Sequence, residues 1–286
     1  MQPRSVTLAA FGLCLAAAAP AQIQEQGESP APRVLMIIRE QIKEGREAAH
    51  EQAEEAWPRI FRKGNVKNNY YLGMASESGP AEAWFLEPYD SFGAMEKQRA
   101  EIMRNLAADL GPANVVDGDL RTGSRNMLAL FRGDLSYRAA DAMAALPKCR
   151  FMSVTVLHIK YGHDNELAQL AHLLIDGDEK SGNNQPVLAY QVSSGAASGT
   201  YFLFAPMDSL ARLDESADRS AAARQAMGER NRQHFDSLAP EVIQSTENLL
   251  FSLNPHMSYV SDEFASKDPG FWNPEPKAAA KPKRKP

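Results

Sequence analysis

From Val34 onward the chain alternates between short apolar runs rich in β-branched residues and longer stretches whose apolar positions recur at helical spacing. "VLMIIREQI" reads as a strand. After the turn Lys43-Glu44-Gly45-Arg46, "REAAHEQAEEAWPRIF" reads as a helix, with Ala and Glu set between spaced apolar residues. Two more strands, "YYLGMAS" and "AWFLEPYDSF", are joined by the Gly-containing turn "ESGPA", the pattern of a hairpin. The second ends at a proline followed by Asp90-Ser91, a pair suited to capping a helix. The helix it announces leads into a last apolar strand, "NMLALF".

The same order then recurs. "FMSVTVLHIKYGH" repeats the first strand and turn, with Ile42-Lys43-x-Gly45 matching Ile159-Lys160-x-Gly162 at an offset of 117. At that offset Trp84-Phe85-Leu86 faces Tyr201-Phe202-Leu203. "GAASG" stands for "ESGPA", Asp208-Ser209 for Asp90-Ser91, and "NLLFSL" for "NMLALF". Strand, helix, strand, strand, helix, strand is the ferredoxin-like order, whose sheet is covered by its helices on one face only. A tandem copy covers the other face. The expected units are a polar linker at 22–33, one half at 34–138, a short helical connector at 139–149, a second half at 150–260, and an extension at 261–286. In "DPGFWNPEP", Phe271 and Trp272 are candidate anchors onto the body, with disorder as the equal alternative.

The element order, the Ile-Lys-x-Gly step into the first helix and the duplication resemble the dimeric α/β-barrel superfamily, which includes antibiotic-biosynthesis monooxygenase-like, NIPSNAP-like and stress-responsive barrel proteins. The resemblance covers 34–138 and 150–260 and speaks to fold far more than to function. It implies an α+β fold of two tandem ferredoxin-like halves forming an intrachain barrel, with the space between the sheets as the usual site. Some families of this kind bind haem through a histidine, and no motif here picks one out.

Alternation puts Leu35, Ile37, Arg39 and Gln41 on one face of the first strand and Met152, Val154, Val156 and His158 on one face of its repeat. Both faces turn polar at the far end. With Trp84 and Tyr201, which share a register, the candidate ligand-binding residues are therefore Arg39, Gln41, Trp84, His158 and Tyr201. The competing reading makes the two aromatics core and His158 a solvated strand-end histidine. Alternation does not fix which face looks inward, and no catalytic residue is assigned.

Composition narrows the function classes. Of 31 Lys and Arg, Arg4 lies near the start and Lys277, Lys281, Lys283, Arg284 and Lys285 lie in the last ten residues; residues 22–276 thus set 25 basic against 36 acidic groups. An acidic body with a basic Pro/Ala-rich tail is not a nucleic-acid-binding pattern. Arg4, the apolar run "VTLAAFGLCLAAAA" and Ala19-Pro20-Ala21 form a signal-peptide pattern, so the protein is expected to be exported, starting near Gln22, with no transmembrane segment. Removal of that leader leaves Cys149 as the single cysteine, which rules out an intrachain disulfide and disfavours a thiolate metal site.

His158, His163 and His172 do not converge on a zinc geometry, because 163 and 172 lie about two and a half turns apart on one helix. "DGDEKSGNN" has Lys180 at a calcium-ligand position and reads as a helix exit. No metal and no cofactor is expected. The leading reading is an exported protein binding a small apolar or aromatic molecule, monomeric or weakly dimeric. The alternatives are a cofactor-independent monooxygenase-like or isomerase-like enzyme and an interaction protein with a filled barrel. A pocket in which Arg39 or His158 faces apolar walls favours the first two.

Overall fold

The computed structural model describes residues 29–273. The expected leader and the basic end of the tail lie outside them. The first half comprises β1 (Val34–Ile42), α1 (Glu47–Glu54), α2 (Ala56–Lys63), β2 (Leu72–Ser76), β3 (Glu82–Tyr89), α3 (Phe92–Gly118) and β4 (Arg121–Phe131). A connector holding α4 (Ala139–Ala145) leads to β5 (Phe151–Ile159), α5 (Asp164–Ser181), β6 (Leu188–Ser194) and β7 (Thr200–Met207). Then come α6 (Ala211–Asp214), α7 (Ser216–Ala226), α8 (Glu229–Val242), β8 (Ile243–Leu253), α9 (Asp262–Ser266) and α10 (Pro269–Trp272).

The eight strands close into one antiparallel barrel in the order β1-β3-β2-β8-β5-β7-β6-β4. The expected pair of facing sheets is thus a single closed sheet. Each four-stranded group would otherwise expose two edges of unpaired N–H and C=O groups. Those edges meet instead, through Met74 opposite Leu253 between β2 and β8 and Phe131 opposite Tyr190 between β4 and β6. At the second seam Gly195 takes a φ of +94°, and a Cβ there would stand 2.2 Å from the Asn126 carbonyl oxygen. Only glycine fits that turn.

Alternation divides the side chains as the pleat requires. Leu35 and Ile37 of β1, Trp84 and Leu86 of β3, Met152 and Val154 of β5 and Phe202 and Phe204 of β7 point into the barrel. Ile42, Phe85 and Ala83 pack outward under α2 and α3, and Leu157, Ile159 and Tyr201 pack outward under α5 and α8. The halves interlock at the centre, where Trp84 meets Phe202 edge-on at 5.6 Å and Phe251 at 4.9 Å. Such pairs add about 0.5–1.5 kcal/mol each beyond the area they bury.

Ser91 caps α3 as expected, accepting a hydrogen bond from Ala94 N at 3.1 Å. Its counterpart Ser209 does not: α6 begins beyond Leu210 without a side-chain cap, and the second-half helix is broken into three pieces. α5 continues through Asp176 and Asp178 to Ser181, one turn beyond the expected exit, and stops at Gly182 with φ +75°. Within the described residues the C-terminal extension packs against the body. Trp272 is buried, packs edge-on against Phe264 at 5.1 Å and donates from Nε1 to Pro147 O at 2.7 Å. Arg150 stacks 4.0 Å over Phe271 and pairs with Asp268. The aromatic anchors therefore tie the extension to the connector, across one mouth of the barrel.

Candidate functional site

β1 and β5 start at the same mouth, and there the barrel is incompletely filled. A cavity of about 230 Å³ is bounded by Leu35, Leu86, Met152, Leu188, Tyr190 and Phe204 of the strands. Met143 and Leu146 of the connector and Phe264 of α9 close over it. Its lining is mostly apolar. Tyr190 donates its phenol to Pro32 O at 3.0 Å and the Ser261 hydroxyl accepts from Phe264 N, while Tyr70 and Tyr71 also border it and the Tyr71 hydroxyl has no hydrogen-bond partner.

The five residues singled out in the sequence fall elsewhere. Arg39 and Gln41 lie four and six residues beyond Leu35 on β1, roughly 13 and 20 Å further along the barrel. Arg39 donates to the Glu82 carboxylate at 3.0 and 3.1 Å and lies 4.4 Å over the Trp84 ring, while Trp84 Nε1 donates to the same carboxylate at 2.7 Å. Gln41 is exposed at that rim. His158 stands at the corresponding place on β5, with Nδ1 3.0 Å from the Thr200 hydroxyl. Thr200 donates its one proton to Ala197 O, so the imidazole is the donor between them. Trp84 is wholly buried in the layer beyond Leu86 and does not line the cavity.

Tyr201 is not the counterpart of Trp84. Leu86 pairs with Ile37 and Phe204 with Val154, so β3 and β7 correspond at an offset of 118. The second hairpin is longer, with Tyr190 opposite Phe202 where Met74 faces Trp84. Phe202 is therefore the matching aromatic. Tyr201 points outward beneath α5, where its hydroxyl donates to Asp164, and burial pushes its pKa up.

No family model matches the sequence, and neither does any curated protein. Solved structures do. A putative monooxygenase from Fusobacterium nucleatum subsp. nucleatum superposes with a TM-score of 0.50 at 13% identity, over 78% of this chain and 93% of its own. An anthrone oxidase-like protein does so with a TM-score of 0.50 at 12% identity, over 78% and 91%. A mutant chlorite dismutase from Candidatus Nitrospira defluvii is a looser match, with a TM-score of 0.46 at 10% identity over 82% and 95%. The fold is that of the dimeric α/β barrels.

Among the described residues, the cavity lining holds no histidine or cysteine to take a haem iron; its only residues of types that can do so are Tyr70, Tyr71, Tyr190, Met143 and Met152. Cys149 is buried nearby, donating to Ala145 O at 3.3 Å, and burial pushes its thiol up to about 11. The thiolate is the reactive form. At pH 8 alkylation of Cys149 is expected to run on the order of 100-fold slower than for an ordinary cysteine, and to speed up about tenfold per pH unit until it levels off near pH 11. Mass spectrometry after timed iodoacetamide treatment of native protein checks this, and rapid labelling would contradict it.

Sequence reasoning missed a second group. Glu40 of β1, His50 and Glu54 of α1 and Asp117 of α3 are all buried together outside the barrel, between sheet and helices. Burial opposes charging of His50, but the carboxylates of Asp117 and Glu40 beside it raise its pKa on balance. Glu54 is raised well above the usual carboxylate value, by burial first and then by Asp117 and Glu40. The only sequence signal was a His and a Glu four residues apart on one helix face, a spacing that surface helices also show.

Proposed function

We propose that this chain is an exported, internally duplicated barrel that binds a small apolar or aromatic molecule at the mouth where β1 and β5 begin. The cavity there carries the reading. About 230 Å³ exceeds the roughly 150 Å³ that suffices for benzene and falls short of the roughly 300 Å³ of drug-sized pockets. The occupant is thus a molecule of one or two rings or a short aliphatic chain. The monooxygenase-like alternative requires a group that moves a proton at the substrate. Tyr190 is engaged, burial holds the Tyr71 phenol well above its usual value so that it keeps its proton, and Arg39 and His158 stand at the opposite rim. Binding is therefore favoured over turnover, and the open mouth is favoured over a wholly filled barrel.

Naphthalene titrated into the full chain tests the proposal. It is expected to bind saturably at one site and to change tryptophan emission, since Trp272 packs on Phe264 of the lid. Met143→Trp fills the cavity from the connector without touching a strand. It should weaken binding at least about tenfold, or 1.4 kcal/mol. No saturable binding to the parent, or equal binding by Met143→Trp, overturns the assignment.

A further inference from the structure

We infer that Glu40, His50, Glu54 and Asp117 form a binding site for one divalent transition-metal cation, open to a chamber beneath α1 and α3. Among the described residues this is the one group of His, Cys, Asp and Glu donors that converges so closely: one ligand atom from each lies within 4.8 Å of all the others. Around a cation with bonds of about 2.0–2.2 Å, adjacent ligand atoms stand roughly 3 Å apart and opposite ones roughly 4.3 Å. Two of the separations match the adjacent spacing. His50 Nε2 is 2.9 Å from Glu40 Oε2 and 3.1 Å from Asp117 Oδ1.

Hydrogen bonding alone leaves this group incomplete. His50 Nε2 carries one proton at most and is bonded to Glu40, so Asp117 Oδ1, in a side chain that is 1% exposed, has no hydrogen-bond partner. Three buried carboxyl groups and His50 face one guanidinium, that of Arg121, which pairs with both Glu40 and Asp117. A divalent cation with neutral His50 balances the set, and Arg121 then orients two ligands from outside, as outer partners of metal sites do.

The chamber supplies the independent observation. It has a volume of about 200 Å³, and Glu40, Glu54 and Asp117 share its wall with Tyr71 and Trp57. Tyr71 is 6% exposed, yet neither its hydroxyl nor Trp57 Nε1 has a hydrogen-bond partner. Two unused donors beside the carboxylates suit a cation-bound water or oxyanion, because buried polar groups are otherwise paired. Ser124 and Asn126, exposed on β4, line the same chamber and give a path to solvent. Mixed imidazole and carboxylate donors select Mn²⁺, Fe²⁺ or Zn²⁺ over Ca²⁺ or Cu⁺.

The test uses the full chain after chelation and dialysis. Mn²⁺ and Zn²⁺ are titrated separately by calorimetry, with Trp57 emission followed during the Mn²⁺ titration. One equivalent of at least one cation is expected to bind, with Mn²⁺ quenching an emission component that Trp57→Phe removes. His50→Gln and Glu54→Gln should each lose more affinity than the roughly 10–100-fold that removal of an outer partner costs. Circular dichroism establishes that each variant is folded. Should neither fold, the parent's stoichiometry and the Trp57 quenching decide. The site is refuted if the parent binds neither cation, if folded variants bind as tightly as the parent, or if bound Mn²⁺ leaves Trp57 unquenched.

Discussion

Trp84→Ala is expected to cost about 3–5 kcal/mol of folding stability, the range for removing a large aromatic from a packed core. The ring is wholly buried and joins the two halves through Phe202 and Phe251. Its loss also strips one donor from Glu82 and leaves Arg39 without the ring it stacks on. Phe202→Ala should fall in the same range, because Phe202 is the matching inward aromatic. Tyr201→Phe should cost only about 0.5–1.5 kcal/mol: the outward ring stays in place, and Asp164 keeps its bond from Gln191. Urea denaturation of the three variants measures this order. A Tyr201→Phe loss equal to that of Phe202→Ala would contradict the register that separates the two residues.

That register marks how far the sequence could be read. The strand–helix order of each half, the hairpins at "ESGPA" and "GAASG" and the division of β1 and β5 into two faces were legible, because alternation and turn chemistry are local properties; which face looks inward was not. The offset of 117 holds for those two strands, where Ile42 and Ile159 both end a strand beside a bulge. It fails by one at β7, because the longer second hairpin shifts the strand, and a one-residue shift turns every side chain to the other face. An aromatic triplet, Trp-Phe-Leu against Tyr-Phe-Leu, hid the shift, since either alignment places an aromatic against Trp84. The barrel was expected from the resemblance alone, and the edge pairings that close it into one sheet were not legible in the residues. They join segments more than fifty residues apart, such as Phe131 with Tyr190.

The candidate sites divide along the same line. Strand alternation found Arg39 and His158 but could not say that the cavity would form at the opposite mouth, where the connector and the extension supply the lid. The buried group behind β1 was harder still. Glu40 was hidden in a strand read for its other face, and Asp117 closes a long helix that looks amphipathic in neither direction. Only packing brings these residues against His50 and Glu54.

Arg121→Met is expected to cost about 3–5 kcal/mol, because it leaves carboxylates buried without their guanidinium partner. Arg121 donates to Glu40 and stands 2.9 Å from Asp117 Oδ2, and both acids are among the most buried in the chain. Methionine keeps much of the side chain's apolar packing, so the loss reports charge and hydrogen bonding. Arg138→Met is the matched control: Arg138 pairs with Asp141 at 2.6 Å, but the two side chains are 44% and 57% exposed. Its loss should be far smaller, as for other solvated pairs. The difference between the variants, measured by urea denaturation at pH 7, is the cost of burial rather than of ion pairing itself. Lowering the pH should narrow it, since protonating the stranded carboxylates removes the charge that Arg121 offsets. Equal, small losses for both variants would mean that Glu40 and Asp117 are hydrated, and that the space behind β1 is wetter than the packing of α1 and α3 implies.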